Sequence, residues 1–106
     1  MISLALATTL AAAALQGPPA APRRDYSSCL SKIAKEKRSE KMEKEAFTAA
    51  LKTACATEEA AFRKSLVDYD VKTGSKRAAA EEGAKLQAED YLVNVTETYF
   101  EAAAPQ

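Results

Sequence analysis

Two cysteines, Cys29 and Cys55, constrain this 106-residue chain more than any other feature, because it has no others. Apolar side chains accompany each of them at helical spacing: Tyr26, Leu30 and Ile33 around the first, Phe47, Leu51 and Ala54 around the second. Met42 stands midway between the two. An antiparallel helical hairpin that turns near Met42 therefore sets Cys29 and Cys55 side by side. In an oxidising compartment an isolated pair of this kind is expected to be joined. In the chain-entropy account, closing a loop of this length stabilises the fold by about 3–4 kcal/mol. For so small a core that is a large share of the total. Two other readings are weaker. A redox pair more typically has C-x-x-C spacing, and a zinc site needs more ligands than two thiols in a chain without histidine.

The start of the chain supplies the compartment that the disulfide needs. From Ile2 to Leu15 runs an unbroken series of Ala, Leu, Ile and small hydroxyl residues. It matches the apolar region of a secretory signal and is too short to span a bilayer, which takes about 20 residues. Ala12 and Ala14 offer one small-residue cleavage site, and Ala20-Ala21 a second beyond the helix-breaking Gly17-Pro18-Pro19. No Lys or Arg follows Met1, so the amino terminus alone supplies the positive end. No cysteine sits directly after the apolar run, which argues against a lipoprotein anchor. Residues 1–22 read as a signal peptide and a Pro/Ala linker, and residues 23–106 as a single helical domain in a bacterial periplasmic or secreted protein.

Periodicity divides that domain into three helices. The first is expected to open at Asp25, a good N-cap, and to bury Tyr26, Cys29, Leu30 and Ile33. The charged stretch Lys35–Lys44 contains no Gly or Pro, so propensity alone would carry a helix through it. The cysteine geometry and the loss of the apolar stripe place the turn there. The second helix is expected to run unbroken for about 28 residues, or roughly 40 Å, with Phe47, Leu51, Ala54, Cys55, Phe62, Leu66 and Tyr69 on one face and Glu58 as the polar exception. Gly74 suits the position after its end, and Ser75 can cap the next helix. The third helix, about Lys76 to Ala103, carries Ala84, Ala88, Tyr91, Leu92, Val95 and Tyr99 as its stripe, weakened in its first half by Gly83. The fold class is all-α: a small three-helix assembly, a hairpin stapled by one disulfide plus a third amphipathic helix.

Composition removes several functions. Lys plus Arg and Asp plus Glu are both 15, a formal net charge of zero, which argues against a dedicated nucleic-acid binder. With no histidine, the chain lacks the usual general base near pH 7 and the commonest transition-metal ligand. No catalytic residue, metal or cofactor is expected. Asp68 and Asp70 alternate around Tyr69 as in a calcium loop, but nothing after them continues that pattern. They read as solvated helix-end residues. Glu58-Glu59, Glu81-Glu82 and Glu89-Asp90 are adjacent in sequence, so each pair diverges on a helix. Asn94-Val95-Thr96 fits a glycosylation acceptor, a chance match in a bacterial chain. Tyr26, Tyr69, Tyr91 and Tyr99 are expected to pack in the core with hydroxyls reaching solvent. A sugar- or peptide-binding tyrosine cluster is the lesser reading.

The series Cys29-Leu30, Phe47, Ala50-Leu51, Ala54-Cys55, Glu58-Glu59-Ala60-Ala61-Phe62-Arg63 and Asp90-Tyr91 resembles short secreted proteins of alphaproteobacteria. The resemblance extends over residues 26–99. Its most specific part is the two cysteines with the E-x-x-F-R segment. It implies export and the staple, and no activity. A fainter likeness, to small cysteine-stapled helical domains of the periplasmic lysozyme-inhibitor type, departs in having too few cysteines here.

The expectation is a non-enzymatic exported protein that acts on an unknown protein partner as an inhibitor, adaptor or stress-type binder. Glu58, Glu59 and Arg63 are its candidate interaction surface. The alternative is an envelope-associated protein that binds anionic membrane or glycan through the basic segment 32–44. Arg23 to Glu45 carries eight basic and five acidic residues, and the remainder seven and ten.

Overall fold

A computed structural model describes residues 17–102, with side chains through Phe100. The chain is all-α. It forms α1 (Ala20–Arg38), α2 (Lys44–Ala54), α3 (Ala56–Lys72) and α4 (Arg77–Ala102). The apolar run Ile2–Leu15, with the cleavage site near Ala12 and Ala14, lies outside the described residues.

α1 begins earlier than expected. Pro19 takes the N-cap position and the helix starts at Ala20, inside the stretch read as a linker and ahead of the Asp25 cap. Pro22 is no obstacle there, because the first turn of a helix has no intrahelical acceptor for its N–H. Lys35, Lys37 and Arg38 occupy the last turn, where cations suit the negative end of the helix dipole. The chain then reverses through residues 39–43, as the cysteine spacing demands. Glu40 N–H donates to the Lys37 carbonyl at 3.0 Å, and Lys41 takes a left-handed conformation with φ 53°.

The expected second helix is two helices, so the described residues form four helices where three were expected. The break falls on Cys55, whose φ and ψ are −108° and 21°. Hydrogen bonds from Cys55 N–H to the Leu51 carbonyl (3.0 Å) and from Glu59 N–H to the Cys55 carbonyl (2.9 Å) carry the chain across the break. α2 and α3 therefore follow one another along the rod that the sequence assigned to one helix. α3 ends in a Schellman motif: Ser75 N–H reaches the Asp70 carbonyl at 2.8 Å and Gly74 N–H the Val71 carbonyl at 3.2 Å. Gly74 has φ 115°, a value that a side chain rarely tolerates.

α1 packs against all three other helices, and the most extensive pairing is between α3 and α4. The core comprises Tyr26, Leu30 and Ala34 of α1, Phe47 and Leu51 of α2, Cys55 at the junction, Phe62, Leu66 and Val67 of α3, and Ala80, Ala84, Ala88 and Leu92 of α4. Tyr26, Phe62 and Tyr91 bring α1, α3 and α4 together. Their centroids are 5.6 Å apart for Tyr26–Phe62 and 5.4 Å for Phe62–Tyr91. At the hairpin end Phe47 meets Phe100 edge-on at 6.1 Å. Ala54, assigned to the buried face, is exposed, because the buried positions Phe47, Leu51 and Cys55 recur every fourth residue and wind away from it.

The buried positions of α4, namely Ala80, Ala84, Ala88, Leu92 and Thr96, recur every fourth residue. Each step advances about 40° around the helix at 3.6 residues per turn, so the stripe winds. Its far end meets α2, where the Thr48 hydroxyl donates to Thr96 Oγ1 at 3.3 Å and Lys44 pairs with Glu97. Among the described residues no helix is long and apolar enough to cross a membrane.

Candidate functional site

Glu58, Glu59 and Arg63 lie in the first two turns of α3, immediately after the break. Two carboxylates in a first turn favour the positive end of the helix dipole. Arg63 Nη1 pairs with Glu59 Oε2 at 3.4 Å, the Glu59 side chain being 15% exposed and that of Arg63 41%. An i,i+4 pair of this kind is worth a few tenths of a kcal/mol. The pair lies close enough to Tyr26 to act on its phenol. Burial raises the Tyr26 pKa to about 12, the Glu59 charge adds to the rise, and Arg63 opposes it. Glu59 and Arg63 thus rim the buried aromatic cluster.

Arg63 also borders an open groove of about 340 Å³ between α3 and α4, with Lys64, Val67, Asp68, Arg77 and Glu81. Lys64 there pairs with Asp68 at 2.6 Å. Three cations and two carboxylates therefore share the groove.

Cys29 and Cys55 are joined, their Cα atoms 5.9 Å apart. Cys55 is fully buried and Cys29 packs at the margin of the core. The bond ties α1 to the junction of α2 and α3. Asp68 and Asp70 belong to the last turns of α3. Among the described residues no group of three or more Cys, Asp or Glu side chains could hold a metal ion.

The tyrosines divide. Tyr26 is 1% exposed, and its hydroxyl donates to the Ala88 carbonyl at 3.2 Å instead of reaching solvent. Tyr91 and Tyr99 line an open groove of about 360 Å³ between α1 and α4, with Ser27, Ser31, Asn94 and Thr98. The Arg38 guanidinium stands 6.0 Å from the Tyr99 ring centroid. Hydroxyls, an amide and two aromatic rings can engage a neutral polar group, and no charged side chain among the described residues lines the groove. The i,i+4 repetition of Ser27 with Ser31 and of Asn94 with Thr98 was the available sequence signal.

Sequence reasoning also passed over the outer face of α4. Leu86 and Val93, half-exposed at 52% and 53%, stand there outside the stripe assigned to that helix. Of Asn94-Val95-Thr96, Asn94 is exposed and Thr96 is buried against Thr48. No family model, no curated protein and no solved structure matches this chain.

Proposed function

We propose that this is an exported, periplasmic or secreted bacterial protein that catalyses no reaction and acts by binding another protein through its helical surface, as an inhibitor, adaptor or stress-type binder. The observation that carries the reading is the Cys29–Cys55 disulfide across the middle of the fold. A bond of that kind persists in an oxidising compartment, and the apolar run Ile2–Leu15 is the matching address. A rigid bundle with two half-exposed hydrophobic side chains on one helix face is suited to recognition by surface. Of the candidate surface Glu58, Glu59 and Arg63, the Glu59 side chain is largely covered and paired with Arg63.

Periplasmic cross-linking tests the reading. A discrete protein adduct that depends on the intact disulfide supports it, and turnover of cell-wall or ester substrates by the purified protein sinks it. Intact mass before and after reduction tests export: loss of the first 14 to 22 residues with blocked thiols is expected. Binding of anionic membrane or glycan through residues 32–44 is the weaker reading. Two cations of that segment are engaged within the protein, Lys37 with Glu40 and Lys44 with Glu97.

A further inference from the structure

Leu86 and Val93 are the exposed large hydrophobic side chains of the described residues. A lone exposed leucine is ordinary on a protein surface. These two are a heptad apart on α4, so they align within about 20° around the helix axis. They sit two turns apart, separated by about 10 Å. Carboxylates border them. Glu82 stands one turn before Leu86, and Glu89 with Asp90 fill the turn between Leu86 and Val93. All three acids are exposed, and no salt bridge among the described residues engages them. Lys85 is the one base in the stretch 82–93.

The geometry points to this face of α4 as a docking site for a cationic amphipathic helix of another protein. Apolar side chains of that helix, repeated every two turns, cover Leu86 and Val93. Its Lys or Arg side chains meet Glu82, Glu89 and Asp90. Charge selects this occupant. A second copy laid face to face would set Glu89 and Asp90 against their own counterparts. It would also have no other exposed large hydrophobic group among the described residues to offer. An anionic membrane meets the same repelling border. The inference rests on the reading of the chain as a protein binder and assigns the face that binds.

The test uses the oxidised full-length protein and a fluorescein-labelled peptide made of Leu and Lys alone, with its leucines on one helical face. Anisotropy at low salt is expected to show saturable binding that weakens as salt screens the charges. Binding is expected to fall at least tenfold in the Leu86→Ser/Val93→Ser variant and in the Glu89→Lys/Asp90→Lys variant. The latter should instead bind the peptide in which Glu replaces Lys. All four side chains are exposed, so both variants keep the core, which unchanged circular dichroism checks. Absence of saturable binding, or equal binding by wild type and both variants, overturns the docking site. Periplasmic cross-linking separates this failure from that of the broader reading. An adduct formed equally by wild type and Leu86→Ser/Val93→Ser rejects this face and leaves a protein binder that works through another.

Discussion

Tyr26 shows how much one side chain can hold together. Its ring stacks on Phe62 and its hydroxyl donates across the bundle to the Ala88 carbonyl, so it binds α1 to both α3 and α4. Burial first, and the Glu59 carboxylate second, push its pKa up to about 12, against about 10 for an unfolded tyrosine. The folded chain therefore keeps a proton that the unfolded chain surrenders. Stability owed to this group is unaffected below about pH 10 and falls as the pH climbs from there towards about 12. Tyr26→Phe is expected to cost about 1 kcal/mol near neutrality through the lost hydrogen bond, and to flatten the alkaline fall. Urea unfolding at neutral and alkaline pH checks both; an equally steep alkaline fall in the variant would rule out this phenol as its source. The periodicity of Tyr26 with Leu30 placed the ring in the core. The acceptor on Ala88 was not legible, because it is a backbone carbonyl distant in sequence.

Two glycines in adjacent elements receive the same substitution with opposite results. Gly74 ends α3 at φ 115°, where a side chain is strained, so Gly74→Ala is expected to destabilise by about 1 kcal/mol or more. Gly83 lies within α4, and a methyl group there would meet nothing within 4 Å. Gly83→Ala is expected to stabilise by up to about 1 kcal/mol through helix propensity. Thermal denaturation of the pair reads the sign directly, and a loss in both would mean that α4 needs flexibility at Gly83. Helix ends marked by local chemistry were legible in this way: Gly74 stops α3 where its type predicts. The junction of α2 and α3 was not. Neither Gly nor Pro marks residues 44–72, and Cys55 leaves helical geometry where the chain is tied to α1. Likewise the start of α1 at Ala20 overrode the local preference for Asp25 as a cap, since Pro22 is tolerated in a first turn.

For the whole molecule, the disulfide and the aromatic cluster are the two features that tie several helices at once. Reduction, or the Cys29→Ser/Cys55→Ser variant, is expected to cost about 3–4 kcal/mol in the chain-entropy account, seen as a lower urea midpoint with helicity retained before unfolding. An unchanged midpoint would mean that packing alone holds α1 in place. Phe62 touches both Tyr26 and Tyr91, and Phe62→Ala is expected to cost about 3–5 kcal/mol by emptying the meeting point of three helices. The all-α class, the reversal near Met42, the Cys29–Cys55 bond and the end of α3 were determined by the sequence alone. Each follows from nearby residues: an apolar period of 3.6, two cysteines with one plausible partner each, a glycine where φ turns positive. Other features depended on the tertiary structure. Which way Ala54 turned, the winding of the α4 stripe towards Thr96, the covering of Glu59 and the exposure of Leu86 and Val93 were settled there. The reason is physical: a helical period tells which residues share a face, but what covers that face is decided by helices far away in the chain.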